Sequence, residues 1–567
     1  MQLSIMKWRL KGIVPIIDWL PQYQTAFLKW DMVAGITLAF FVLPESMAYA
    51  TLAGVPSYFG IYCCIAGGLF FALFTTSKHL AIGPTSSMSL MIGSTVAVLS
   101  GGDPARWAAI ASLTALVVAV LCLIAFVLRL SALVNFISDS ILLGFKAGAA
   151  LSIMATQIPK LFGLAGGGSN FFTRMSNLFQ QFPKTNWTVL IFGLIGLAVL
   201  FLGDRLFPGK PVSLAVVIAS ILVITYTQLS GAGIHLAGEI PNQLPTIKRP
   251  SLRFSDVDGI LDLAFACFLM GYIETISAAR TFAMKNNYTI NPRQELLSLG
   301  AANFASAFSS GYVVAGGLSQ STVNENSGAK SPLSLIICSV SLGLILLFLA
   351  GFLKNLPEVI LAAIVIHAVS GLIKVKELKR IYTLDKVEFG IAMTAVAGVL
   401  VFGILRGVII AVFLSLILLI RRISRPNVPI LGRIGNSLLY SDITRHTDNI
   451  IIDDVTIQRV ESSILYFNAQ DIVDKIYRNL EFSESAPRLM ILDLSAVPFV
   501  DVSGANMLLK LFQQLQERGI AIKLVGALSN VRELFRKVGV ENLTGRISRS
   551  ASIHEAVEEF IHLSKKV

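Results

Sequence analysis

Charge is scarce in this chain. Asp, Glu, Lys and Arg make up 14% of its 567 residues, while 54% are hydrophobic. With a mean hydropathy of +0.72, that balance excludes an ordinary soluble protein, in which roughly a quarter of the residues are charged. Cysteine is nearly as scarce. The five present, Cys63, Cys64, Cys122, Cys267 and Cys338, lie in apolar stretches without a CxxC pair or a histidine at ligand spacing. Neither a disulfide framework nor a zinc site is expected. No GxxxxGK loop occurs, which speaks against an ATP-driven pump. No nucleophile with its base, metal cluster or cofactor loop emerges, so neither an enzyme nor a cofactor is expected.

What the chain has is long apolar runs. Segments able to cross about 30 Å of hydrocarbon at 1.5 Å per residue run near 32–50, 58–74, 107–128, 133–153, 189–206, 212–229, 260–283, 295–309, 332–353, 358–373, 387–403 and 408–420. The net charge of +12 does not point to nucleic acid. The basic residues gather beside the spans, at Lys7, Arg9, Lys11 and Lys29 before the first and Arg421, Arg422 and Arg425 after the last. As positive-inside anchors they place both termini in the cytoplasm, and so require an even number of crossings. Trp8, Trp19, Trp30, Trp107 and Trp187 stand at or near the ends of apolar runs, as interfacial rings do. The expected location is the inner (plasma) membrane, crossed many times.

Two short pieces, 80–99 and 312–324, share a grammar. Each has a brief apolar extended stretch, then glycine, then a hydroxyl cluster able to start a helix: Gly83-Pro84-Thr85-Ser86-Ser87 and Gly316-Gly317-Leu318-Ser319-Gln320-Ser321. Both read as broken helices beginning at mid-membrane, where irregular backbone survives only if buried or lining a cavity. Counted as spans they bring the total to about fourteen. Occurring once in each half, they indicate an inverted repeat with a site at the midplane. Helix N-termini bring unpaired N–H groups and partial positive charge to such a site, so a small anion is the expected ligand. Thr85, Ser86, Ser319 and Gln320 are its candidate ligands.

Pro56-Ser57-Tyr58-Phe59-Gly60-Ile61-Tyr62, Gly83-Pro84, Gln294-Glu295-Leu296, the run from Pro44 to Ala50, Glu274-Thr275-Ile276-Ser277 and Ser319-Gln320-Ser321-Thr322-Val323-Asn324 together resemble the sulfate permease (SulP) family, which includes relatives of the animal anion exchangers and of prestin. The resemblance spans nearly the whole chain. It implies a polytopic α-helical membrane protein of about fourteen segments in a 7+7 inverted repeat, divided into core and gate parts, with a soluble α/β STAS domain and a homodimeric assembly. Many relatives have Gln where this chain has Glu45, and Arg where it has Gln320. The fixed positive charge of their site is therefore missing here.

Glu45 and Glu274 are acids within apparent spans, where a charge at the helix centre costs about 2.5–3.5 kcal/mol. Both are candidates for coupling transport to H⁺ or Na⁺, with a Na⁺ expected near Glu274; pairing of Glu274 with Arg280 is the structural alternative. Tyr49, one turn beyond Glu45, is placed to face the same cavity.

From about residue 446 short strands and amphipathic helices alternate. The implied domains are 1–30, a cytoplasmic segment; 31–425, the membrane domain; 426–445, a linker; and 446–567, a cytoplasmic α/β domain. Strands are expected near 464–467, 489–494 and 521–525, and helices near 471–479, 503–518 and 530–538. Leu492 to Ser495 with Phe499 to Gly504 resemble the STAS fold of anti-sigma-factor antagonists. There the residue after the matching Asp is a phosphorylated Ser or Thr; here it is Val502, so no switch is expected at that position. Ser503 reads as a helix N-cap with Asp501 beside it.

The expected function is secondary transport of a small anion such as sulfate, bicarbonate, chloride or a dicarboxylate, by H⁺- or Na⁺-coupled symport with an elevator-like motion of the core. Its expected partners are the bilayer, a second copy and a cytoplasmic protein at the STAS domain. The alternatives are an anion exchanger or channel-like pathway, or a membrane receptor or scaffold signalling through the soluble domain.

Overall fold

The computed structural model describes residues 14–100, 103–131, 139–168, 170–207, 211–227, 233–250, 257–481, 487–548 and 551–564. Lys7, Trp8, Arg9, Lys11, the start of the span expected from 133 and the end of that expected to 229 lie outside the described residues. The chain divides into two compact units, Met1–Ser415 and Leu416–Val567.

The first unit is helical. Its apolar segments are α1 (Thr25–Leu52), α2 (Tyr58–Phe74), α3 (Ser86–Leu99), α4 (Pro104–Val127), α5 (Asp139–Leu161), α6 (Trp187–Leu206), α7 (Val212–Tyr226), α8 (Val257–Lys285), α9 (Pro292–Phe308), α10 (Leu318–Asn326), α11 (Leu333–Leu353), α12 (Glu358–Ser370), α13 (Lys386–Phe402) and α14 (Ile404–Ser424), the last continuing into the second unit. Seven helices among the described residues have the length and hydropathy to cross a bilayer, and Tyr58–Phe74 and Val212–Tyr226 are shorter apolar ones. Local chemistry sets several of their starts. Asn186 accepts from Thr188 and Val189 N–H ahead of α6. Asp385 does the same for Val387 and Glu388 ahead of α13. Asn291 caps α9, whose first residue is Pro292, the position where a missing N–H costs nothing.

Packing pairs these helices with a two-fold regularity. α2 lies against α11, and α9 against α4; α1 lies against α11, and α8 against α4; α5 packs on α13, and α12 on α6. Matching α1–α7 in order onto α8–α14 converts each contact into its partner, which is the signature of an inverted repeat. Segments α1–α4 with α8–α11 form one bundle, and α5–α7 with α12 and α13 a second. Two amphipathic helices, Phe171–Gln181 and Val375–Leu384, lie between the apolar segments, the second adjoining α12 to complete the seventh long span, Glu358–Leu384.

The second unit holds a parallel sheet of Val455–Arg459, Leu489–Asp493 and Ala521–Val525, with Leu489–Asp493 in the centre. Helices Ala469–Glu481, Val502–Glu517, Ser529–Val538 and Ile553–Ser564 complete it. Its core joins Ile472, Ile476, Leu492, Leu508, Phe512 and Phe535. Three expectations are corrected here. Residues 464–467 form no strand: Ile464 makes a single bridge to Val500, and the outer strand is Val455–Arg459, hidden in the sequence by Gln458 and Arg459. Part of the expected linker 426–445 is a hairpin, Leu431–Arg433 with Tyr440–Asp442, bridged through Ile430 to Gln458. The helix expected from Ser503 begins at Val502, and Asp501 is its N-cap. The Asp501 Oδ1 accepts from Gly504 N–H at 2.7 Å, and its Oδ2 from Tyr466 N–H at 2.8 Å. An ionised acceptor there outcompetes the Ser503 hydroxyl.

Candidate functional site

The two broken segments meet. Strand β1 (Ala81–Gly83) precedes α3, β2 (Ala315–Gly317) precedes α10, and the strands pair antiparallel with Ala81 opposite Gly317 and Gly83 opposite Ala315. Helix α3 has 14 residues and α10 has 9, so each rises only about 21 Å or 14 Å, well short of a bilayer. Both begin inside the bundle and point their N-termini at the crossing.

Side chains from other segments hold this irregular backbone and satisfy its polar groups, as burial demands. Asn303 of α9 brackets Val314, donating from Nδ2 to its carbonyl and accepting its N–H at Oδ1, both at 3.0 Å. Thr275 of α8 accepts Gly316 N–H at 2.9 Å, and Ser321 of α10 accepts Ala81 N–H at 2.9 Å. Asn324 donates to the His79 carbonyl at 3.0 Å. A Cβ on Gly316 would press on the Thr275 backbone, so glycine is what allows β2 to lie against α8.

The acids occupy the two half-helix starts. Glu45 of α1, 4% exposed, accepts from Tyr49 Oη at 3.0 Å and Ser319 Oγ at 3.3 Å on Oε1, and from Gln320 Nε2 at 3.1 Å on Oε2. Glu274 of α8 accepts from Thr85 Oγ1 at 3.2 Å and from Ser87 Oγ. Helices α1 and α8 are repeat mates, as are α10 and α3. Each acid thus sits at the half-helix of the other repeat, in two-fold-equivalent places. Hydrogen bonds to a charged acceptor contribute about 1.5–3 kcal/mol each, so two or three offset the cost of keeping a carboxylate at this depth.

All seven residues singled out in the sequence come together here, though in two groups. Tyr49, Ser319 and Gln320 surround Glu45, while Thr85 belongs to Glu274 and also caps α3, accepting Met88 N–H at 3.4 Å. Ser86, the first residue of α3, is buried beside Thr85. The hydroxyls expected to face an anion are turned toward the acids. The cation acting on Glu274 is Lys146 of α5, while Arg280 lies on an exposed position of α8. Ser87 is a site residue that sequence reasoning left out of the ligand set, although it stands in the same hydroxyl cluster; Lys146 carried no sequence signal beyond a charge in an apolar run.

Two further buried acids brace the frame. Glu295 at the start of α9 is fully buried and accepts from Thr75 Oγ1 at 2.9 Å, Thr76 N–H at 2.8 Å and Thr76 Oγ1 at 2.6 Å. It fixes the turn that feeds β1. Asp31 of α1 accepts Lys330 N–H at 2.7 Å, Ser331 N–H at 3.1 Å and Ser331 Oγ at 2.7 Å, fixing the turn that follows α10. Among the described residues no group of three or more His, Cys, Asp or Glu is placed to hold a metal ion.

The chain is similar to known proteins. The model of the sulfate permease family matches residues 28–395, and that of the STAS domain residues 446–559. A probable sulfate transporter of Mycobacterium tuberculosis strain H37Rv is 27% identical over 549 residues, covering 97% of this chain and 98% of the relative. Sulfate transporter 3.1 of Arabidopsis thaliana is 29% identical over 579 residues, covering 97% and 87%. The murine Solute Carrier 26 family member A9 anion transporter, solved in the inward-facing state, superposes with a TM-score of 0.89 at 22% identity, covering 98% of this chain and 95% of that one. The transmembrane domain of a cyanobacterial bicarbonate transporter, BicA, gives 0.60 at 20% identity over 70% of this chain and 98% of that one. These structural likenesses show the shared fold.

Proposed function

This chain belongs to the sulfate permease family and is a multi-pass membrane anion transporter with a C-terminal STAS domain, and from that premise we propose that it is a secondary active symporter moving a small anion together with H⁺ or Na⁺. Sulfate, bicarbonate, chloride and dicarboxylates are the substrate candidates; relatives are named for sulfate and for bicarbonate. The binding residues are Tyr49, Thr85, Ser86, Ser319 and Gln320, and the coupling residues Glu45 and Glu274.

One observation carries the coupling: a carboxylate already stands at each half-helix N-terminus. Each N-terminus supplies about half a positive charge, so the pair offsets one of the two acids. Lys146, acting on Glu274, offsets the other, so with both acids ionised the site keeps no net positive charge to hold an arriving anion in a medium of low dielectric. A co-transported cation removes the conflict. Either Glu274 takes a proton, or it joins Thr85 and Ser87 in offering oxygen ligands to Na⁺, a hard cation suited to them.

We further infer that the bundle of α1–α4 and α8–α11 is the moving core, that it travels elevator-like against the gate of α5–α7 and α12–α14, and that the protein works as a homodimer in the plasma membrane. Both termini are cytoplasmic in this reading, and the STAS domain regulates or assembles the carrier and takes a cytoplasmic protein partner. The test is uptake of labelled anions into sealed vesicles with and without H⁺ and Na⁺ gradients. Exchange indifferent to both gradients would show an exchanger in place of a symporter.

A further inference from the structure

Gln320 has both amide hydrogens committed and its oxygen free. Nε2 lies 3.1 Å from Glu45 Oε2 and 3.3 Å from the Pro84 carbonyl. Exchanging the amide's two ends would set an oxygen against two other acceptors, so these bonds fix which end is which. Oε1 is therefore an acceptor, buried without a hydrogen-bond partner among the described residues, on a side chain 1% exposed. The neighbouring hydroxyls of Ser319 and Thr85 are turned to Glu45 and Glu274.

The position of Oε1 says where a donor would have to come from. A Cβ built on Gly83 would lie 3.2 Å from it, and one on Gly317 would lie 3.3 Å away. These glycines end β1 and β2 and stand at the entrances of α3 and α10. Oε1 thus lies against the ends of the two strands that lead into α3 and α10. Arginine, which the family resemblance leads one to expect at this position, offers donors only; glutamine adds an acceptor to an anion site.

We propose that the carried anion is an oxyanion bearing an acid hydrogen, such as hydrogencarbonate, dihydrogen phosphate or a half-protonated dicarboxylate, and that it donates this hydrogen to Gln320 Oε1. The inference rests on the transport reading above and narrows its substrate class. Chloride, nitrate and, near neutral pH, sulfate bring no donor. Their binding would leave the buried acceptor unpaired, and a site built to meet a ligand hydroxyl rejects analogues that lack it.

Hydrogencarbonate and nitrate make the test, because both are planar, trigonal and singly charged, and only the first has an O–H. Thermal-shift titration of the purified full-length protein with their sodium salts at pH 8, so that a coupling cation is present throughout, gives a Kd for each. The expected result is a Kd at least about tenfold lower for hydrogencarbonate, with Gln320→Met narrowing the ratio to within about threefold. Equal affinity in the natural protein overturns the inference, and that result stands even if Gln320→Met fails to fold. An unchanged ratio in a folded Gln320→Met also overturns it. Failure of both hydrogencarbonate and inorganic phosphate to bind as their sodium salts overturns it as well. Counterflow measured in parallel separates the two claims: anion counterflow without a hydrogencarbonate preference sinks only the hydrogen requirement, whereas binding without counterflow of any anion sinks the transport reading on which the inference rests.

Discussion

Gln320 of α10 reaches Glu45 of α1, Nε2 to Oε2 at 3.1 Å, and so ties the half-helix of the second repeat to the opening helix of the first. Thr85 and Glu274 repeat the bond with the halves exchanged. The consequence is mutual: each acid fixes the half-helix that it also electrically cancels.

Ser319 stands in the first turn of α10 and donates to Glu45. A tryptophan there would fill the space between the half-helix starts. Ser319→Trp should abolish uptake while the protein remains folded and membrane-inserted, checked by size-exclusion profile and vesicle assay. Full activity would place the site elsewhere.

Why these residues were legible is physical. An acid inside an apolar run, and a glycine ahead of a hydroxyl cluster inside a span, are each too costly to be idle, so Glu45, Glu274 and both broken helices stood out. Partners across the fold did not. The β1–β2 register joins Ala81 to Gly317, and nothing in two three-residue strands announces such a pairing. Glu295 was visible as an acid, yet at the start of a helix it reads as an interfacial residue; its clamp on Thr75 and Thr76 needs coordinates. In the soluble domain Asp501 and Ser503 both suited a cap two residues apart, and the second bond from Tyr466 N–H decides for Asp501.

Glu295→Ala should destabilise the protein without touching the site directly. It leaves the buried Thr75 hydroxyl and the half-buried Thr76 donors unpaired, at about 1–3 kcal/mol for each one kept from water. A loss of roughly 3 kcal/mol or more is expected, read as a lowered unfolding midpoint in detergent. A midpoint equal to the natural protein's would show that the turn before β1 is held by other contacts.

The soluble unit has its own core and is not needed to build the site. A chain ended after Arg425 should insert and still bind its anion, by thermal shift, even if its transport rate changes. An inserted protein that binds none of the tested anions would make the STAS domain part of the site.

Glu274→Gln removes the ionisable group and keeps the shape. The variant should lose concentrative uptake and its dependence on the coupling ion. For a proton, uptake by the natural protein rises as external pH falls, because the protonated acid is the form that admits the anion; for sodium it saturates with Na⁺ at fixed pH. A variant that still concentrates substrate with unchanged ion dependence would make Glu274 a packing residue.

Coupling is the central claim, and one vesicle experiment addresses it most directly. Full-length protein is reconstituted into sealed liposomes, an inward gradient of H⁺ or of Na⁺ is imposed separately, and the entry of a labelled anion is followed beyond its equilibrium level. The account predicts transient accumulation above equilibrium under one of the two gradients and none when both are collapsed. Accumulation absent under either gradient, with brisk one-for-one exchange of anions, would contradict it.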